Sequence, residues 1–117
     1  MAFPGTYNFN YYRGDTYSFN IYPKDADGNT FSLNDFTTAI YTIANKRGGG
    51  AGVVQTTATA TLDKTNNAVI CTITAVQGRS LASTSTYVYD IQITDGINIY
   101  TLLTGTITPT DDITGAV

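Results

Sequence analysis

Histidine, glutamate and tryptophan are absent from this sequence, and cysteine occurs once. Each absence removes a kind of chemistry. Without histidine, the commonest general base and the commonest metal ligand are missing. A single cysteine, Cys71, excludes an intrachain disulfide and fits synthesis in a reducing compartment. The missing tryptophan and paired cysteines argue against an antibody-type domain. All nine acids are aspartate, and leucine occurs five times in 117 residues. Good helix formers are therefore scarce. Charge is also thin: 13% of residues are charged, against about 25% in an ordinary soluble domain.

The few charges limit the partners. Net charge is −3, and the six basic residues cluster nowhere beyond Lys46-Arg47. Neither nucleic acid nor an acidic lipid surface suits such a chain. No apolar run reaches the length of a transmembrane helix. The start, "MAFPGTYNFN", lacks a basic stretch followed by an apolar one, so no secretion signal is expected.

Threonine occurs 22 times and tyrosine nine times, which points to an all-β fold. The length suits one domain, residues 1–117. Period-two alternation is clear in "TYNFNYYR", where Tyr7, Phe9 and Tyr11 alternate with Asn8, Asn10 and Tyr12. "DTYSFNIYP" repeats it, with Tyr17, Phe19 and Ile21 on one face and Pro23 as the stop. A third strand is predicted near 37–44. "TTATATL" and "AVICTITA" follow, with Val69, Cys71 and Ile73 in step. "TYVYDIQIT" points Tyr87, Tyr89, Ile91 and Ile93 inward, and "NIYTLLTGTIT" closes the sheet with Gly105 as a candidate bulge. Turns fall at "KDADGNT", "DKTNN" and Asp95-Gly96, and "VQGRSLASTS" has room for one helical turn. The pattern predicts an immunoglobulin-like antiparallel β-sandwich of about seven strands with Greek-key connections, or else a closed barrel.

Several motifs invite a functional reading. Arg13-Gly14-Asp15 has the composition of an integrin ligand, but strands abut it on both sides. The local chemistry predicts a bend in which Gly14 supplies positive φ. "DADGN" has the look of a calcium loop, yet the twelfth position, where a bidentate glutamate belongs, is Phe36. "GGGAG" lacks the Lys-Ser/Thr ending of a phosphate loop and reads as a flexible tip. Cys71 lies at an inward position with no histidine to activate it. Asp111 and Asp112 are adjacent, so on an extended chain they point apart rather than forming a carboxylate pair. The chain is thus expected to be non-catalytic, with no cofactor and no metal.

Tyrosine is the informative surplus. A sheet that packs on one face leaves some tyrosines near the surface, where they favour interfaces. The candidate interface residues are Tyr7, Tyr11, Tyr12 and Tyr22, with Gly48, Gly49 and Gly50 of the glycine loop. Lysine and arginine, which blunt exposed strand edges, are nearly absent from the predicted strands, so a homo-oligomer or a multivalent assembly is expected.

The order of segments "YRGDTYSFNIYPKDADGNTFSLNDFTTAIYTI" and "STYVYDIQITDGINIYTLLTGTITPTDDIT" resembles the immunoglobulin-like domain of tailed-phage virion proteins. It is similar to the N-terminal domain of upper baseplate proteins and to small stand-alone structural proteins of phages. The resemblance covers residues 12 to about 114. It implies a virion protein made in the host cytoplasm, with major capsid or tail proteins as partners. No coiled-coil stem or receptor-binding module follows the sandwich, which favours capsid decoration (cement) over a baseplate, neck or tail-fibre adaptor. A carbohydrate-binding module that grips the host is the alternative from another class. A secreted integrin ligand is the third.

Overall fold

A computed structural model describes residues 4–46, 55–83 and 85–111. The elements are β1 (Gly5–Thr6), β2 (Phe9–Tyr12), β3 (Tyr17–Ile21), β4 (Thr38–Ala44), β5 (Gln55–Asp63), β6 (Ala68–Ile73), α1 (Ala75–Arg79), β7 (Tyr87–Thr94) and β8 (Ile99–Thr110). Among the described residues the fold is all-β apart from one short helix; β2 to β8 lie where the alternation predicts strands, and the two-residue β1 is not separately predicted.

The strands form one mixed sheet in the order β1-β8-β7-β4-β5-β6-β3, and β2 continues β1 along β8. β5 belongs to two ladders. Gln55–Ala58 pair with β4, whereas Thr59–Asp63 pair with β6. The sheet therefore curls over within β5 into a long limb (β1/β2, β8, β7, β4) and a short limb (the end of β5, β6, β3). The limbs face each other through aromatic rings: Phe9 stacks on Tyr17 at 4.7 Å, and Phe19 meets Tyr41 and Tyr89 edge-on. Ile43, Val69, Cys71, Ile73, Ile91, Ile93 and Ile107 fill the space between them.

Two expectations change. The sheet is not wholly antiparallel, because β1 and β2 run parallel to β8, with Phe9 opposite Ile107 and Tyr12 opposite Thr110. Nor does Gly105 mark a bulge. The register shift falls between Ile91 and Gln92, whose partners are Leu103 and Thr101, so Leu102 is the extra residue. Gly105 has a different use. A β-carbon there would overlap the carbonyl of Tyr7, so glycine lets the link between β1 and β2 cross close over β8. Asn8 secures that link by accepting the N–H of Thr106 on its side-chain oxygen at 2.9 Å.

The segment between β3 and β4 caps one end of the core with Leu33 and Phe36. Asn67, at φ 52° in the β5–β6 turn, holds it by accepting from Leu33 N–H and donating to Phe31 C=O. At the other end, α1 starts with a capping box. Thr74 Oγ1 accepts from Gln77 N–H, and the Gln77 side chain accepts from Thr74 N–H.

Candidate binding surface

Arg13-Gly14-Asp15 forms a turn between β2 and β3. Asp15 N–H donates to Tyr12 C=O at 3.1 Å, and Gly14 has φ 85°. That places glycine at the third position of the turn, where a type II turn needs positive φ. The arginine is only partly exposed and is held by the chain itself. Its guanidinium donates to the carbonyls of Leu81 and Arg79, just beyond and at the end of α1, and to Asp111 at 2.8 Å. Asp111 also accepts from Ser83, and these two bonds hold its carboxyl below the usual carboxylate range. The triplet is a turn, as the local chemistry predicts, and its arginine serves in addition as a corner clamp.

Tyr11 belongs to that corner rather than to an interface. Expected near the surface, it is 2% exposed. It shares the inward phase of Phe9, and its hydroxyl donates to Asp15 C=O at 2.5 Å. The hydroxyl end of the ring sits against Gly78 of α1, where any β-carbon would overlap it. Burial pushes its pKa up.

The other candidate tyrosines are exposed: Tyr12 by 56%, Tyr22 by 58% and Tyr7 by 38%. Tyr12 is out of phase with Phe9 and Tyr11, so it points outward from β2. Tyr22 lies just past β3, and its hydroxyl accepts from Asn20 at 3.3 Å. Tyr7 is in phase with Phe9 but falls in the break between β1 and β2, so its ring is only partly covered. It stacks on Phe9, its hydroxyl pairs with that of Tyr17, and its carbonyl accepts from Tyr89 at 2.6 Å. Tyr7 therefore joins core to surface, whereas Tyr12 and Tyr22 are free to serve a partner. Gly48, Gly49 and Gly50 lie outside the described residues.

Tyr7, Phe19, Asn20, Ile21, Tyr22 and Leu103 line an uncharged groove of about 370 Å³. It lies between the C-terminal half of β3 and the β1–β8 pair. A second hollow of about 250 Å³, lined among others by Asn45, Ser80, Ser85 and Tyr87, lies beside the end of α1.

Reactive groups are placed for packing. Cys71 is fully buried, and burial pushes its thiol up to about 12. The "DADGN" stretch is a turn in which Asp25 accepts from the N–H groups of Asp27 and Asn29. Among the described residues no three aspartate or cysteine side chains gather as a metal site. No helix among them is long and apolar enough to cross a membrane.

No protein-family model matches the chain, and no curated protein sequence matches it.

The sequence did not single out the Arg13 clamp, the Gly78–Tyr11 contact or the groove. For Tyr11 the signal was present: an unbroken period of two with Phe9 marks it as inward. For the groove there was none, because it joins residues 7, 19–22 and 103 from three separate stretches.

Proposed function

We propose that this chain is a non-catalytic structural component of a tailed-bacteriophage virion. It docks on other virion proteins, as a capsid decoration protein in the first instance and as a baseplate, neck or tail-fibre adaptor in the second. The observation that carries the reading is the exposure of Tyr12 and Tyr22 on a firmly held segment. Both flank the clamped turn and β3, so their rings lose little freedom on binding and bring large apolar area. The burial of the Cys71 thiol and the use of Arg13 as an internal clamp weigh against a thiol enzyme and against an integrin ligand. Many copies on one particle add modest contacts through avidity. The order of segments that resembles phage immunoglobulin-like domains supplies the virion part of the proposal.

The test is co-sedimentation of the purified chain with capsids and with tails of the phage that encodes it. The doubly substituted chain Tyr12→Ser/Tyr22→Ser should lose at least about tenfold in apparent affinity. Its melting temperature should move little, since such surface changes are worth about 0.5 kcal/mol or less. Undiminished binding by this variant would remove the tyrosines from the interface. Failure to bind any particle, together with a positive glycan array, would replace the proposal with carbohydrate binding.

A further inference from the structure

We propose that the groove between β3 and the β1–β8 pair is a strand-acceptor site. Its occupant is an extended, uncharged segment of a partner protein with apolar side chains at alternate positions. This deepens the docking reading above and rests on it for the nature of the partner.

Three observations support it. First, β3 ends the sheet: among the described residues it pairs with β6 and with no other strand. A terminal strand offers a row of backbone N–H and C=O groups, which is the complement of another extended chain. Natural edges are blunted by charge, proline or a bulge. β3 has none of these, and the nearest charges, Asp15 and Lys24, lie beyond its two ends.

Second, the limbs are unequal. The short limb sets β6, β3 and half of β5 against the β1/β2, β8, β7 and β4 of the long one. At the Tyr17 end of β3 the gap is filled by the rings of Phe9 and Tyr7. Towards the Ile21 end the gap stays open as the groove, with Leu103 and Tyr7 of the long limb in its lining. One more strand beside Phe19–Tyr22, about 13 Å long at the usual rise, would even the limbs. Its inward side chains would enter the groove while its backbone pairs with β3.

Third, the lining selects the occupant. The six side chains carry no charge, and only Asn20 and the two tyrosine hydroxyls are polar. A charged segment would be desolvated there without a counter-charge. A sugar would find few of the polar groups that its hydroxyls need. A second copy pairing β3 to β3 would extend the sheet edge to edge, yet its own Phe19 and Ile21 already pack on its own core.

The full-length chain is screened against random heptapeptides by ribosome display, and the enriched peptides are then studied by hydrogen exchange. Enriched sequences should alternate apolar and uncharged polar residues. Their binding should slow exchange at least about tenfold in residues 17–22. Asn20→Pro should abolish binding if its N–H faces outward. Tyr22→Lys, at an exposed position that leaves folding intact, should weaken it at least about tenfold in either case. No enrichment, enrichment without a period of two, or binding that leaves 17–22 unprotected and Tyr22→Lys unaffected would each overturn the proposal. So would a concentration-dependent dimer protected at 17–22, which makes a second copy the occupant. No virion component enters this screen, so it can fail while the particle experiment succeeds, and the reverse.

Discussion

The corner around Arg13 and the groove beside Tyr22 are made from one short stretch, residues 11–22, yet they are opposite in kind. At the corner, the Arg13 guanidinium and the Tyr11 hydroxyl both have partners within the chain. Arg13 spans Arg79, Leu81 and Asp111, and Tyr11 bonds Asp15 while the end of its ring abuts Gly78. At the groove, among the described residues one edge of β3 has no strand beside it, and the Tyr22 hydroxyl bonds Asn20. The difference does not come from tyrosine content, since both regions carry exposed or buried tyrosines. It comes from what the fold brings near. The end of α1 and the residue after β8 converge on Arg13, whereas among the described residues β3 pairs with β6 alone. A sequence motif with a functional reputation is thus spent on architecture, while a plain stretch of strand carries the opportunity for binding.

The strongest challenge to this contrast is alkaline pH, because both regions rest on one neutral core. Burial holds the Tyr41 and Tyr89 phenols well above the ordinary tyrosine range and the Cys71 thiol at about 12. These are groups whose folded pKa is raised. Their contribution is complete below the unfolded values, about 8.5 for cysteine and 10 for tyrosine. It is lost as pH rises towards the folded values, at about 1.4 kcal/mol per pH unit for each group. A domain at the low end of ordinary stability, about 5 kcal/mol, should unfold in one step near pH 11. Tyrosinate absorbance and Cys71 labelling by a thiol reagent should appear in that same step. Rapid labelling of the native chain at neutral pH would show that Cys71 faces outward.

Next in size is Gly78→Val. The Tyr11 ring cannot swing away, because it is buried and bonded to Asp15, so the added branches overpack the corner at a cost of about 3 kcal/mol. Tyr22→Ser in the groove should stay within about 0.5 kcal/mol. Urea denaturation of the two variants measures the contrast directly. Equal losses would mean that Tyr22 packs as tightly as Tyr11 and that the groove is part of the core.

Much of this was readable in the sequence, and the unreadable part has a common cause. Alternation located the strands and the inward row Val69, Cys71 and Ile73. Gly14, Gly28 and Gly96 all have positive φ, so the turn chemistry held at the Arg-Gly-Asp bend, at "DADGN" and at the Asp95-Gly96 hairpin. These are local properties. The parallel pairing of β1 and β2 with β8 joins residues nearly a chain length apart, and alternation says which face a strand buries, not which neighbour it finds. Gly105 illustrates the limit. Glycine in a strand signals either a bulge or a close backbone crossing, and only the fold distinguishes them.

Arg13→Ala is expected to cost about 1–2 kcal/mol, because it leaves the part-buried Leu81 carbonyl without its donor. Arg13→Lys should rescue little of this, since an ammonium cannot span three acceptors in a fixed fork. The partner Asp111 is 64% exposed, so Asp111→Asn should change stability far less. The pH sign is opposite to that of the tyrosines. Asp111 has a lowered folded pKa, so its small contribution is present above about pH 4 and fades as pH falls through the folded value. Thermal melts of the three variants between neutral and acid pH would separate clamp from ion pair. If Asp111→Asn matches Arg13→Ala, the ion pair rather than the carbonyl clamp holds the corner.

The smallest expected effect divides two tyrosines of the shared core. Tyr41 and Tyr89 face each other with ring centroids 5.5 Å apart, and both are buried. Their hydroxyls differ. Tyr89 donates to the Tyr7 carbonyl at 2.6 Å, which ties the lining of the groove to the core. The hydroxyl of Tyr41 is buried with no hydrogen-bond partner among the described residues. Removing one oxygen from each is the same covalent change with opposite physical consequences. Tyr89→Phe discards a made bond and leaves the Tyr7 carbonyl unsatisfied, a loss of about 1 kcal/mol or somewhat more. Tyr41→Phe discards an unpaired buried dipole, so it should be neutral or stabilising by up to about 1 kcal/mol. Denaturant midpoints resolve such differences when the slopes are unchanged. Hydrogen exchange adds the regional readout: Tyr89→Phe should loosen residues 5–8 beside the groove and leave the amides around Arg13 as protected as before. If Tyr41→Phe destabilises as much as Tyr89→Phe, a bound water is bridging the Tyr41 hydroxyl, and the core beneath the groove is wetter than its apolar lining suggests.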